Sequence, residues 1–385
     1  MNTTKPPRPA VFLPDGALYA FSFPNFSLFF WGQSVSVIGT WMQMVAQQWV
    51  VYHLTGSSEW LGIVAGAGAI PYIALAVWGG QIADRVPRRT ILLATQTASM
   101  TIAIVLFGLA TNRIVAVAPW HIAVLAGLGG VVNAFNMPAQ QSLVTELVGD
   151  PKAVPNAIAL SSLRFNTARF VGPALAGIVL VNFGAVACFA VNAVSFVAVL
   201  LSLYFLRLPE RERSVDVTTT DSSPWEGLRF LLSVASLRRV IILTATASLL
   251  LLSVSTLYPV LASHYVRSAA GFSTVVTMTL MRTFTATLVC LFIAGVGMVV
   301  YNASTNTKVQ LDAPAHLRGR VMAMYALVIN ALMPTGGLFL GFLAARFGVL
   351  MTIRGCAGVT LAVIVWLWAA RQAGHRHVAS VNSPE

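Results

Sequence analysis

Charge is what this chain has least of. Asp, Glu, Lys and Arg make up 9% of its 385 residues and only 12 residues are acidic, whereas soluble domains carry about a quarter charged residues. No Asp or Glu stands unambiguously within a long apolar run. Cysteine is also scarce: Cys188, Cys290 and Cys356 lie far apart, each inside an apolar stretch. That spacing excludes a disulfide framework and a zinc site, so no metal is expected. No G-x-x-x-x-G-K-[ST] loop occurs, so direct ATP use is not encoded. No Ser-His-Asp or H-E-x-x-H arrangement stands out, and no enzyme is expected. The N-terminus, with Lys5, Arg8 and several prolines before Gly16, lacks the short apolar run and cleavage site of a signal peptide.

Apolar length is what the chain has in abundance. Hydrophobic residues are 57% of the total, and mean hydropathy is +0.78. A membrane-spanning helix needs about 20 apolar residues. Ten such runs read as 27–52, 60–83, 90–110, 114–138, 155–181, 185–206, 240–263, 284–304, 321–345 and 348–370. The fold class is therefore all-α and polytopic, with the lipid bilayer as a partner. The net charge of +12 would suggest nucleic acid in a soluble protein. Here the positives collect in inter-helix loops, as the positive-inside rule expects, and nucleic-acid binding is excluded. With both termini cytoplasmic, most Lys and Arg fall inside. Arg113, Arg267 and Arg346 fall outside, and Arg164, Arg169, Arg282 and Arg354 at or within spans.

The organisation that follows is an N-tail over 1–24, a six-helix bundle over 25–206, a cytoplasmic linker over 207–239, a shortened bundle over 240–370 and a tail over 371–385. Ser223-Pro224-Trp225-Glu226 predicts an N-cap and first turn, and hence a short interfacial helix from Pro224 to Leu237. An internal repeat relates the halves. Phe135-Asn136 matches Tyr301-Asn302, and Gly177 and Gly184 match Gly341 and Gly348, each glycine 164 residues from its partner. The interval from Tyr265 to Asn302 is less than half that from Tyr52 to Asn136, a shortfall of one helix hairpin. Residues 268–283 are expected to be an external or re-entrant remnant. The arrangement predicted is 6 + 4 helices rather than 6 + 6. A monomer is expected, or an oligomer if the short half needs completing.

Four constellations could carry chemistry. In the first helix Gln33, Ser36, Thr40, Gln43 and Gln47 recur at helical spacing on one face. They would line a water-filled cavity or hydrogen-bond between helices, while Trp41 and Trp49 would anchor in lipid. In the fifth helix Ser162, Asn166 and Arg169 precede Gly172-Pro173 and Gly177. An arginine in mid-membrane is a functional candidate by default. Arg164, nearer the helix end, can snorkel. The glycines and proline would set close packing or a bend. In the fourth helix Asn133, Asn136 and Gln140, with Asn302 and Asn306 in the second half, would line the cavity or cap helix ends. Finally, Gly80-Gln81-Ile82-Ala83-Asp84-Arg85-Val86-Pro87-Arg88-Arg89 places one Asp and three Arg between two apolar helices. Gly80 would admit a close helix approach, and Asp84 would pair or cap.

This last run resembles the loop signature of the major facilitator superfamily, with Pro87 at a usual glycine and Ile82 at a usual leucine. Gly32-Gln33 through Gln43, Thr55-Gly56-Ser57, Asn302-Ala303-Ser304-Thr305-Asn306-Thr307 and Leu317-Arg318-Gly319-Arg320-Val321-Met322 are similar to its enterobactin-exporter and bacterial-efflux branch. The resemblance implies a two-bundle fold in a bacterial inner membrane. It implies proton-driven export of a small organic molecule, siderophore or drug-like, by rocking of the bundles and with no cofactor. Gly80, Asp84, Arg85, Arg88 and Arg89 would hold the inner gate. Gln33, Thr40, Gln43, Gln47, Asn133, Asn136, Asn166, Arg169 and Asn302 would meet substrate or water. The helix-five pattern Gly172, Pro173, Gly177 partly resembles that of antiporters. Two other readings stand beside export: a non-transporting relic or assembly protein, and a gated pore.

Overall fold

The computed structural model describes residues 16–111, 116–206, 225–260, 301, 304–306, 308–309, 312–314 and 318–381. The predicted run 284–304, the remnant 268–283, Asn302 and Cys290 lie wholly or largely outside them, so the 6 + 4 count does too. The fold is all-α, with no strand among the described residues. The helices are α1 Pro24–Thr55, α2 Ser58–Arg85, α3 Arg88–Ala110, α4 Pro119–Leu147, α5 Val154–Phe205, α6 Trp225–Ser233, α7 Ala235–Thr246, α8 Arg318–Phe347 and α9 Val349–Val381. Among the described residues, six stretches are long and apolar enough to cross a membrane, 52-residue α5 and Ala235–Val260 included. α1 is not among the six. At about 1.5 Å per residue its 32 residues are ample in length, but its amides and hydroxyls lower its hydropathy.

Helices outrun the apolar runs that mark them. α4 continues through Asn136 and Glu146 to Leu147 rather than stopping near 138, and α9 runs to Val381 rather than 370. Apolar sequence marks the span, and helix propensity carries the backbone beyond it. α4 starts with Pro119 at its first position, and the Ala118 amide donates to Nδ1 of His121 at 3.0 Å. The linker helix is shorter than expected: Val234 is extended (φ −83°, ψ 116°), so α6 ends at Ser233 and α7 begins at Ala235.

The molecule divides into two compact units. One holds α1, α3, α4, α5 and α2 from Ala67 onward; the other holds Gly56–Gly66 of α2 with α6 to α9. In the first unit α1 lies between two arms of α5, which reverses at Gly184 (φ 79°, ψ 175°). A Cβ at Gly172 in the first arm would collide with Trp41, while in the second arm Asn192 and Ser195 meet Gly39, and Ser202 meets Gly32. α1 therefore runs parallel to one arm and antiparallel to the other. α2 and α4 cross at glycine: a Cβ on Gly130 would collide with the carbonyl of Gly68, and one on Gly79 with that of Ala134.

In the second unit the α2 start packs on α8 at Gly62 and Gly341, and Ser58 Oγ donates to the Gly341 carbonyl at 3.2 Å. After α7 the chain widens into a π turn, Ala247–Leu251, then tightens into a 3-10 turn, Leu252–Leu257. There Ser253 Oγ lies 2.8 Å from the Ser248 carbonyl and 2.6 Å from that of Met333, and its single proton is within reach of either. Gly348 between α8 and α9 has φ 81°, matching its repeat partner Gly184.

Polarity is inverted relative to a soluble protein. Phe183, Val194 and Trp366 are 74%, 70% and 60% exposed, while Gln33, Asn192 and Arg164 are buried. That is the pattern of a chain solvated by lipid.

Candidate functional site

The charged turn acts on its own unit. Positive residues at a helix N-terminus oppose the helix dipole, yet α3 begins Arg88-Arg89, so each must gain elsewhere. Arg88 forms an ion pair with Glu146 in the last turn of α4. Arg89 donates from Nε to the Leu203 carbonyl and from Nη2 to that of Tyr204, both at 2.8 Å. It thereby caps the otherwise unmatched C-terminal carbonyls of α5. Arg85, exposed, ends α2 where the dipole favours it. Asp84 is placed by its backbone in the last turn of α2. Gly80 is a correction: a Cβ there would meet nothing within 4 Å among the described residues, and the close approach belongs to its neighbour Gly79.

Because Arg88 and Glu146 side chains are 23% and 24% exposed, their pair is worth about 1 kcal/mol. Arg88→Ala should lower the melting temperature by about 2–4 °C. The exchange Arg88→Glu with Glu146→Arg should recover most of the loss. A double exchange melting below both single variants would rule out the pairing as the cause.

Near this end a second tie is electrostatic. Tyr19 Oη donates to Asp150 Oδ2 at 2.7 Å, and Asn156 Nδ2 donates to the Ala17 carbonyl at 2.8 Å. The Tyr19 hydroxyl, then the Lys152 amide, hold the Asp150 carboxyl below the usual range. In the second unit Lys308, then Ser236, do the same for Asp312.

The α1 stripe divides by depth. Gln33 and Ser36 are buried, Gln43 and Gln47 half-buried and Thr40 exposed, its hydroxyl turned back to the Ser36 carbonyl at 2.9 Å. Gln43 Oε1 accepts from Asn192 Nδ2 at 2.7 Å, an inter-helix bond worth about 0.6 kcal/mol. Asn136 Oδ1 accepts from Gln96 Nε2 at 3.1 Å and Thr95 Oγ1 at 3.2 Å, tying α4 to α3. Asn133 and Asn166 are exposed, and Asn166 bonds back to the Ser162 carbonyl. Gly172 is buried against α1, and Pro173 follows it inside α5.

The two arginines of α5 exchange their expected roles. Arg169 is half-buried with its guanidinium 5.7 Å from the Trp41 ring centroid. Trp41 also meets Phe165 at 5.9 Å, so it faces α5 rather than lipid. Arg164 does not snorkel: it is 7% exposed, 5.8 Å from the Phe29 ring centroid and 5.5 Å from that of Phe30. Glu146, Gly79 and Arg164 are thus the residues that sequence reasoning passed over. Only the rarity of an arginine in an apolar run signalled the last.

Comparisons with known proteins agree with this architecture. The family model for transmembrane secretion effectors matches residues 16–276. The staphyloferrin A transporter of Staphylococcus aureus is 30% identical over 46% of this chain and 44% of its own length. The chain thus spans less than half of that relative. The multidrug efflux pump Tap of Mycolicibacterium fortuitum is 28% identical over 80% of this chain and 87% of its own. Among solved structures, a bacterial homolog of the human lysosomal transporter Spinster, inward-facing and unoccupied, superposes with a TM-score of 0.71 at 12% identity, covering 91% of this chain and 95% of that one.

Proposed function

Because this chain belongs to the transmembrane secretion effector family of major facilitator transporters, we propose that it exports a small organic molecule, siderophore or drug-like, by proton antiport and alternating access. The observation that carries this reading is the inverted first unit. Buried amides and a buried arginine on α1 and α5 stand inside helices whose outer faces are apolar. Polar groups are costly in such surroundings, and a transported solute gives them a use. The charge distribution supports a cytoplasmic face for the Asp84 turn and both termini, in a bacterial inner membrane. Asp84 is the candidate coupling carboxylate, since no acid stands in mid-span.

The test is efflux of ethidium from liposomes holding the purified chain, under an imposed pH gradient. Flux should need the gradient, and Asp84→Asn should reduce it by about tenfold or more, equivalent to about 1.4 kcal/mol. Flux equal with and without the gradient would sink antiport. Flux indifferent to Asp84→Asn would favour a pore, and a folded protein that moves neither dye nor siderophore would sink export.

A further inference from the structure

We infer that Arg164 is the anchor of a binding site for an acidic group, a carboxylate or phosphate, on the transported molecule. Its Nε and Nη1 are buried and have no hydrogen-bond partner among the described residues, and the same holds for Gln33 Oε1 and Ser161 Oγ. Gln33 is 3% exposed and Arg164 7%. The residues stand at one depth. α1 and the first arm of α5 run parallel, with Gly172 against Ile38 and Trp41, so Arg164 lies level with Phe29, Phe30 and Gln33.

A guanidinium in such a place is expensive unless an anion meets it. The two phenyl rings offset part of the cost through their π faces but offer no acceptor for the N–H groups. Neither α1 nor α5 contains an Asp or Glu, so the helices that hold this cation do not supply its counter-charge. Three acids elsewhere on the fold already have partners: Glu146 pairs with Arg88, Asp150 with Tyr19, and Asp312 with Lys308. A ligand oxyanion at an edge of the guanidinium would meet an open donor there, Nε on one side or Nη1 at the other, through a charge-assisted hydrogen bond. Gln33 would turn its amide N–H₂ toward the same oxyanion, and Ser161 would donate its hydroxyl. Phe29 and Phe30 would exclude water and raise the strength of the pairing.

That the anion is cargo rests on the export reading; that it binds does not. The experiment is therefore a melting measurement on the whole detergent-purified chain, with millimolar citrate or inorganic phosphate against chloride at matched ionic strength. The wild type should gain about 2–5 °C in citrate, Arg164→Met should gain nothing, and Arg164→Lys should keep part of the gain. Gln33→Leu, which retains the charge, should reduce the gain and serves if Arg164→Met fails to fold. Equal gains in wild type and Arg164→Met, or no gain in the wild type, overturn the site. A gain produced by phosphatidylglycerol but by neither small anion assigns the arginine to a lipid headgroup and overturns the solute site. Dye efflux without an anion response removes this site and leaves the exporter; an anion response without efflux does the reverse.

Discussion

Gly130→Leu is expected to remove most of the folded protein, and Gly129→Leu, one residue away, to leave it intact. At Gly130 a Cβ would fall onto the Gly68 carbonyl, whereas at Gly129 it would meet nothing within 4 Å. A carbonyl in a helix cannot rotate out of the way as a flexible side chain can, so α2 and α4 must separate. Forced separation of packed helices costs about 3 kcal/mol or more, a large share of a total stability of about 5–15 kcal/mol. In lipid the loss has no hydrophobic compensation, because helix association there depends on close packing. The leucine at 129 gains up to about 1 kcal/mol in helix propensity over glycine and meets no obstacle. Size-exclusion traces of the two variants in one detergent check the pair. Equal monodisperse yields would mean that the crossing does not hold the unit together.

The second large effect is at Gly184. Its backbone, φ 79° and ψ 175°, lies in a region that is open to glycine and almost closed to other residues. A β-branched side chain there is strained whatever space surrounds it. Gly184→Val should cost about 3 kcal/mol and lower the melting temperature by about 6–12 °C. No Cβ contact lies within 4 Å at this position, so crowding does not enter. The control is Gly80→Val, where the backbone is helical and the space is also open; it should melt close to wild type. Equal melting of Gly184→Val and Gly80→Val would show that the reversal tolerates other geometries.

The sequence made the apolar spans legible and left their partners unread. The charged run from Gly80 to Arg89 straddles the junction of α2 and α3, with only Val86 and Pro87 outside the two helices, and the junction is legible because hydropathy drops where charges cluster. The repeat put Gly184 and Gly348 in register, and both have the same positive φ. What pairs with Arg88 and Arg89 was hidden, since Glu146 and the Leu203 carbonyl are distant in sequence and a backbone carbonyl has no residue signature. The family pattern names one glycine, Gly80, while helix phase turns Gly79 toward α4. Arg164 was assigned to the membrane surface from its distance to the helix end. Its actual depth follows from the phenylalanines of α1, which cover it. In the same way the helicity of α4 past residue 138 was lost to a criterion that measures greasiness rather than backbone geometry.

The widened turn at Ala247–Leu251 and the narrowed one at Leu252–Leu257 depart from α-helical winding in opposite senses, one under-wound and one over-wound. An over-wound and an under-wound coil set end to end act like a slack link. The Ser253 hydroxyl, within hydrogen-bond reach of the carbonyls of Ser248 and Met333, ties this irregular stretch to α8 at the point where its winding departs from the α-helix.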